Sequence, residues 1–124
     1  MSRREIAVVE DNEDNRLLLR ALLDERYELR EYATGADALE GLEAAVPDLV
    51  LLDISLPGMD GIEVLARIRA VESLRHLPVI ALTAHVMSGD RERLLAEGFD
   101  GYVSKPIVDE MVLVDAIESL VSRA

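Results

Sequence analysis

Asp48-Leu49-Val50-Leu51-Leu52-Asp53-Ile54-Ser55-Leu56-Pro57-Gly58 contains an unbroken apolar run that ends in a carboxylate and is followed by a Pro-Gly turn signal. Such a run, bounded by turn residues, is typical of a strand buried on both faces of a parallel sheet. Asp53 would then lie at the carboxyl end of a central strand, where open α/β sheets bind their ligands. Taken alone, Asp53 could equally cap the next turn.

Strand and helix patterns alternate along the rest of the chain. Strands are predicted at 6–9, 27–32, 49–53, 78–83 and 101–104. Helices are predicted from Asn12 to about Arg26, from Thr34 to before Pro47, from Gly61, from Ser88 to Gly98, and from about Asp109 to Val121. This alternation predicts an α/β fold with a parallel sheet and helices on both faces. The second strand alternates apolar and polar residues, as an edge strand does, which favours the flavodoxin-like order 2-1-3-4-5.

The helices carry leucines whose burial can be predicted from their spacing. Leu94 and Leu95 are expected to face inward from the fourth helix. Four leucines of the first helix are expected to be mostly core, with one or two exposed beside Asn15; they are Leu17, Leu18, Leu22 and Leu23.

Length and composition exclude several classes of protein. The 124 residues suit one domain, 1–124, and the absence of cysteine excludes disulfides and thiolate zinc sites. We find no signal-peptide core and no apolar run near the ~20 residues that span a bilayer, so we expect a cytoplasmic protein without a membrane segment. The net charge of −12 argues against nucleic-acid binding and favours a cation or a positively charged partner.

Chemically functional side chains follow four of the predicted strands. Parallel strands place their carboxyl ends at one edge of the sheet, which we call the rim, and there the sequence puts Glu10, Asp11, Asp53, Thr83 and Lys105. Two like charges 4 Å apart at an effective dielectric near 20 repel by about 4 kcal/mol. A divalent cation would relieve the repulsion among the three carboxylates, and ligands that are all oxygen favour Mg²⁺ or Mn²⁺.

The same residues have the chemistry of a phosphoryl acceptor. A carboxylate that the metal does not require can act as a nucleophile and form an aspartyl-phosphate. The Lys105 ammonium would neutralise phosphoryl charge, and the Thr83 hydroxyl would donate to a phosphoryl oxygen.

Over essentially its whole length the chain resembles the receiver domain of two-component response regulators, in particular stand-alone receivers and the receivers of hybrid histidine kinases. Four motifs occur in order at predicted strand ends: Glu10-Asp11, Leu52-Asp53 through Asp60-Gly61, Thr83-Ala84 and Lys105-Pro106. The resemblance implies a switch or phosphorelay protein that accepts a phosphoryl group on Asp53 from a phosphohistidine. It implies no enzymatic turnover beyond the protein's own phosphorylation and dephosphorylation.

The resemblance also implies roles for individual residues. Mg²⁺ would be held by Asp11, Asp53 and the backbone carbonyl of Ser55, with Glu10 acting mainly through a metal-bound water. Thr83 and Tyr102 would form the switch pair that responds to phosphorylation.

Three further residues have implied properties. The small Ala84 would leave room for the donor, and the peptide bond before Pro106 would be cis. His85 lies where similar proteins tune the lifetime of the phosphoryl group, although a solvated loop histidine fits the sequence as well.

Partners and alternatives follow from the same resemblance. The expected donor is a histidine kinase or a histidine phosphotransfer protein, the output is a downstream protein target, and a monomer is the default. The chain could be a stand-alone protein, which Met1 just before the first strand favours, or a module excised from a hybrid kinase.

Two other functions compete with a receiver. A haloacid-dehalogenase-like phosphatase would carry a second Asp where Ser55 stands. A flavodoxin-type flavin protein would need hydroxyls and amides in the first loop, which here is acidic.

Overall fold

The computed structural model describes residues 3–84, 90–105 and 109–121 of the chain. Within these ranges the elements are β1 (Glu5–Val9), α1 (Glu13–Leu23), β2 (Glu28–Tyr32), α2 (Gly35–Ala44), β3 (Leu49–Asp53), α3 (Gly61–Ala70), a short 3-10 helix (Glu72–Leu74), β4 (Val79–Thr83), α4 (Asp90–Glu97), β5 (Gly101–Ser104) and α5 (Glu110–Val121). The five strands form one parallel sheet in the order β2-β1-β3-β4-β5. The predicted flavodoxin-like fold and its strand order are therefore confirmed.

The central strand β3 divides the core into two layers. Val50 and Leu52 point into the cluster beneath α2, α3 and α4, whereas Leu49 and Leu51 point into the cluster beneath α1 and α5. All five residues of β3 are buried, because helices cover both faces of the sheet. This double burial explains why the strand has an unbroken apolar sequence and places Asp53 at its carboxyl end.

Side-chain caps begin the first three helices near the carboxyl edge of the sheet. Asn12, Thr34 and Asp60 each accept a hydrogen bond from a backbone N–H three residues ahead. Among the helices of the described ranges, none is long and apolar enough to cross a membrane.

The first helix is shorter than predicted. α1 ends at Leu23 rather than near Arg26, because the N–H groups of Arg26 and Tyr27 both bond to the Leu23 carbonyl and turn the chain toward β2. Tyr27 is buried at this turn, and its hydroxyl donates to Glu118 Oε2 at 2.6 Å. Burial and this hydrogen bond raise the pKa of the Tyr27 phenol.

One prediction of leucine burial, that of Leu95, is wrong. Leu94 is 2% exposed but Leu95 is 43% exposed, since adjacent helical residues point about 100° apart and α4 has only one face against the sheet. In α1, Leu19 and Leu23 are buried and Leu22 is half-buried. Leu17 and Leu18 are 54% and 39% exposed, so they form the exposed subset that the sequence allowed for.

Candidate phosphoacceptor site at the carboxyl edge of the sheet

The parallel sheet brings the predicted acidic residues together at the rim. Glu10 and Asp11 follow β1, and Asp53 ends β3, the strand that pairs directly with β1. Each of the three offers a carboxylate oxygen, and these oxygens lie within 4.8 Å of one another. Glu10 and Asp53 are buried, with 1% and 4% exposure, whereas Asp11 is exposed. The site therefore combines two shielded carboxylates with one that faces solvent.

The Asp53 carboxylate is held on both of its oxygens. Oδ1 accepts a hydrogen bond from the Ser55 N–H at 3.0 Å, and Oδ2 lies 3.1 Å from Lys105 Nζ. The Ser55 bond is the turn contact that Asp53 would make as a simple cap. The Lys105 contact spans the sheet and has no such local explanation, so Asp53 is more than a turn residue.

Glu10 is the most heavily bonded carboxylate of the site. Its Oε1 accepts from Lys105 Nζ at 2.6 Å and from Asn15 Nδ2 at 3.3 Å, and its Oε2 accepts from the Asn12 N–H at 3.2 Å. Burial raises the pKa of Glu10 above its ordinary value, and neighbouring Asp53 adds to the rise, while the Lys105 bond opposes it. The carboxylate thus depends on its donors to stay ionised.

Lys105, which directly follows β5, bridges the two buried carboxylates of Glu10 and Asp53. Its backbone N–H donates to the Thr83 carbonyl at 2.8 Å, which carries the side chain over the end of β4 toward Glu10 and Asp53. Burial lowers the pKa of Lys105, but the bonds to Glu10 and Asp53 outweigh this and leave the pKa raised. The ammonium therefore stays charged at neutral pH.

The other predicted site residues also lie around the rim. Thr83 is buried at the end of β4, Ala84 follows it in an exposed position, and Ser55 is exposed beside Asp53. Tyr102 on β5 is half-buried and packs against the cluster beneath α2, α3 and α4. His85 and Pro106, with its predicted cis bond, lie outside the described residues.

Two contributors to the site escaped the analysis of the sequence. Asn15 donates to Glu10 from the first turn of α1, and a polar residue three positions after the N-cap was the signal available. Gly61 opens α3 directly against the end of β3: its N–H donates to the Ile54 carbonyl at 2.9 Å. A Cβ at this position would lie 2.5 Å from the Asp53 carbonyl oxygen. Glycine is therefore required for the approach of α3 to Asp53.

The change Gly61→Ala should destabilise the protein by about 1–3 kcal/mol, because backbone must move to admit the methyl group. Urea denaturation measures the loss. Gly101→Ala is the matched control, because among the described residues its Cβ would meet only Ile80, at 3.9 Å. Equal stability of the two variants would contradict the close approach.

Comparison with known proteins gives the family. Residues 6–118 match the family model of the response regulator receiver domain. The polar-differentiation response regulator DivK of Brucella ovis is 44% identical over 105 residues, which cover 84% of this chain and 85% of DivK.

Solved structures agree in fold. A response regulator from Chloroflexus aurantiacus superposes with a TM-score of 0.92 at 27% identity, covering 98% of this chain and 100% of the other. The receiver domain of the sensor histidine kinase PA1611 from Pseudomonas aeruginosa gives 0.89 at 34% identity, covering 98% and 99%, and holds a magnesium ion in its active-site cleft. The chain belongs to the response regulator receiver domain family.

Proposed function

We propose that the protein is a phosphorylation-dependent signalling switch or phosphorelay protein that accepts a phosphoryl group on Asp53 with the help of Mg²⁺. The observation that carries the proposal is the rim itself: three carboxylates lie within 4.8 Å of one another, and Lys105 bridges two of them. Receiver domains act with histidine kinases and phosphotransfer proteins, so the donor we propose is a phosphohistidine on such a partner.

The acidic residues suit a magnesium ion. The atoms that they offer as metal ligands are all hard oxygen atoms, and Asp11, which is exposed, leaves the site open to water on one side. Asp11 and Asp53 would hold the ion directly with the Ser55 carbonyl, and Glu10 would act through a metal-bound water. When bound, the ion would supply positive charge to the incoming phosphoryl oxygens. The 34% identical PA1611 receiver, with magnesium in its cleft, supports this proposal.

The transfer needs no reagent besides the phosphohistidine donor and the magnesium ion. An Asp53 carboxylate oxygen attacks phosphorus as the bond to the imidazole nitrogen breaks, and the imidazole leaves with that electron pair. Lys105 Nζ lies 3.1 Å from Asp53 Oδ2 in the unphosphorylated protein, and it would give up part of its contact with the carboxylates to bind the phosphoryl oxygens. Thr83 would donate its hydroxyl to the phosphoryl group, and Tyr102 would follow that movement.

The first helix offers a docking surface for the donor. Leu17 and Leu18 are exposed on α1, which begins directly after Asp11 and Asn12 at the rim. Exposed leucines beside an acidic site fit a partner helix that presents a phosphohistidine, because the apolar contact would hold the donor while the rim receives the phosphoryl group. The output we propose is a protein contact, made either by a stand-alone response regulator or by a receiver that belongs to a histidine kinase, as the PA1611 receiver does.

Phosphorylation of Asp53 can be tested without knowing the partner. We expect the wild-type protein, incubated with Mg²⁺ and acetyl phosphate, to gain one phosphoryl group by intact mass, and Asp53→Asn to gain none. Asp37→Asn is the matched control, because it makes the same chemical change at an exposed carboxylate in the first turn of α2 that is not part of the acidic cluster.

Two results would contradict the proposal. Modification that persists in Asp53→Asn would place the acceptor elsewhere. Rapid release of many equivalents of phosphate would favour a phosphatase instead.

A further inference from the structure

We propose that Arg16 is a positioning residue that orients Glu10 for cation binding, an inference that rests on the function proposed above. Arg16 lies near the start of α1, and its Nη1 donates to the backbone carbonyl of Glu10 at 2.8 Å. The guanidinium therefore reaches back over the first turn of its own helix to the residue that directly follows β1. No pattern in the sequence marks Arg16 for this role.

The contact with Arg16 completes the anchoring of the Glu10 backbone. On the other side, the Glu10 N–H donates to the Tyr32 carbonyl at 3.0 Å, so both hydrogen-bonding groups of this residue are held. Asn12 and Asn15 bind the carboxylate at the same time. The start of α1 thus supplies hydrogen-bond donors to the backbone carbonyl and to the side-chain carboxylate of Glu10. Because Arg16 fixes the orientation of the Glu10 backbone, it also fixes the direction in which the carboxylate points.

A positive charge beside a cation site needs a counter-charge, and Glu31 supplies it. Glu31 Oε1 lies 3.8 Å from Arg16 Nε, and Arg20 donates two hydrogen bonds of 2.9 Å to the same carboxylate. The side chains of Arg16 and Glu31 are both largely shielded from solvent. Arg16 can therefore donate to Glu10 while Glu31 offsets its repulsion of a divalent ion.

The sign of one measurement separates positioning from simple electrostatics. If Arg16 affected the site only through its charge, its removal would take away a repulsive cation, and Mg²⁺ would bind more tightly. If Arg16 orients Glu10, its removal frees the carboxylate, and Mg²⁺ binds more weakly. Residues that orient metal ligands typically contribute about 10- to 100-fold in affinity. The two roles predict opposite shifts in Kd.

The test is Mg²⁺ titration of the wild-type protein and of Arg16→Met by calorimetry. We expect Arg16→Met, which keeps the aliphatic stem, to raise the Kd about tenfold. In EDTA, the Asn12 amide signal of the ¹⁵N-labelled variant should shift, because its acceptor on Glu10 has moved. Arg16→Lys, which restores one donor, should give an intermediate Kd. Arg20→Met is the matched control, because Arg20 binds the same Glu31 without contact to Glu10; its Kd should be unchanged.

Failure of this inference can be told from failure of the proposed function. A wild-type protein that binds no Mg²⁺ overturns both. The wild-type protein could instead bind Mg²⁺ and be phosphorylated while Arg16→Met shows an equal or lower Kd. That result would overturn the inference about Arg16 and leave the proposed function standing. If Arg16→Met does not fold, Arg16→Lys provides the test: it keeps the positive charge but loses the fork of the guanidinium that holds the Glu10 carbonyl, so its Kd should exceed that of the wild type. An unchanged Kd in that variant overturns the inference.

Discussion

Replacement of Lys105 with methionine should destabilise the metal-free protein by about 3 kcal/mol at neutral pH, because removal of one partner leaves buried charges uncompensated. Lys105 bonds to Glu10 at 2.6 Å and contacts Asp53 at 3.1 Å, and both carboxylates are buried. We expect the lower end of the range for such pairs, since Glu10 keeps the donors of Asn12 and Asn15. Urea denaturation in EDTA measures the loss.

The loss should depend on pH in a direction that the pKa of Glu10 determines. Burial already raises this pKa, and the Lys105 bond opposes the rise, so the pKa of Glu10 increases further in Lys105→Met. The folded variant then takes up a proton at a higher pH than its unfolded chain. At a pH above the pKa of Glu10 in the folded variant, the unfolding free energy of Lys105→Met is lower than that of the wild type by the whole amount. The difference disappears as the pH falls toward the pKa of about 4.3 that a glutamate has in an unfolded chain.

Two further results would identify the cause of the Lys105 effect. Excess Mg²⁺ should restore much of the stability of Lys105→Met, because the ion binds the folded carboxylates in place of the ammonium. Lys105→Arg keeps the charge and should lose less stability than the methionine variant. A difference from wild type that stays the same between pH 5 and pH 8 would show that charge pairing is not the reason.

Replacement of Arg69 with methionine should also cost about 3 kcal/mol, through contacts remote from the rim. The Arg69 guanidinium, at the end of α3, donates to the carbonyls of Leu77 and Gly98 at 2.6 and 2.9 Å and to Asp100 Oδ2 at 2.9 Å. Asp100 in turn accepts from the N–H of Val79, the first residue of β4. One side chain thus joins α3 to the segments that enter β4 and β5.

The matched control for Arg69 lies in the same helix. Among the described residues Arg67 makes only an exposed i,i+4 pair with Glu63 at 3.3 Å, so Arg67→Met should cost at most about 0.5 kcal/mol. The affinity for Mg²⁺ should be unchanged in folded Arg69→Met, because Leu77 and Asp100 lie at the sheet edge opposite Asp53. Equal losses in the two variants, measured by urea denaturation, would contradict the role of Arg69.

Much of the site could be predicted because strand ends are local features of the sequence. Glu10, Asp53 and Thr83 each follow an apolar run, and parallel pairing brings such ends to one edge. Arg16 and Arg69 could not be predicted in this way. Both act on backbone carbonyls, which every residue has, so no pattern in the sequence marks their partners.

Which leucines of the helices are exposed could likewise be predicted only in part from the sequence. Spacing predicted that the helices bury leucines, and of those predicted Leu23 and Leu94 are buried; Leu19, which was not among them, is buried as well. It did not decide that Leu95 faces solvent, because a short helix offers several faces until it packs against the sheet. The outward side of α1, with Leu17 and Leu18, was likewise decided by packing.

The sequence by itself determined the class of fold, the edge position of β2 and the set of residues at the rim, because hydrophobic periodicity and strand ends are encoded locally. Only the tertiary structure decided how the charges are compensated. Lys105 directly follows β5, and Glu31 of β2 partly offsets the charge of Arg16. These pairs join residues that are distant along the chain, and their distances exist only once the sheet has formed.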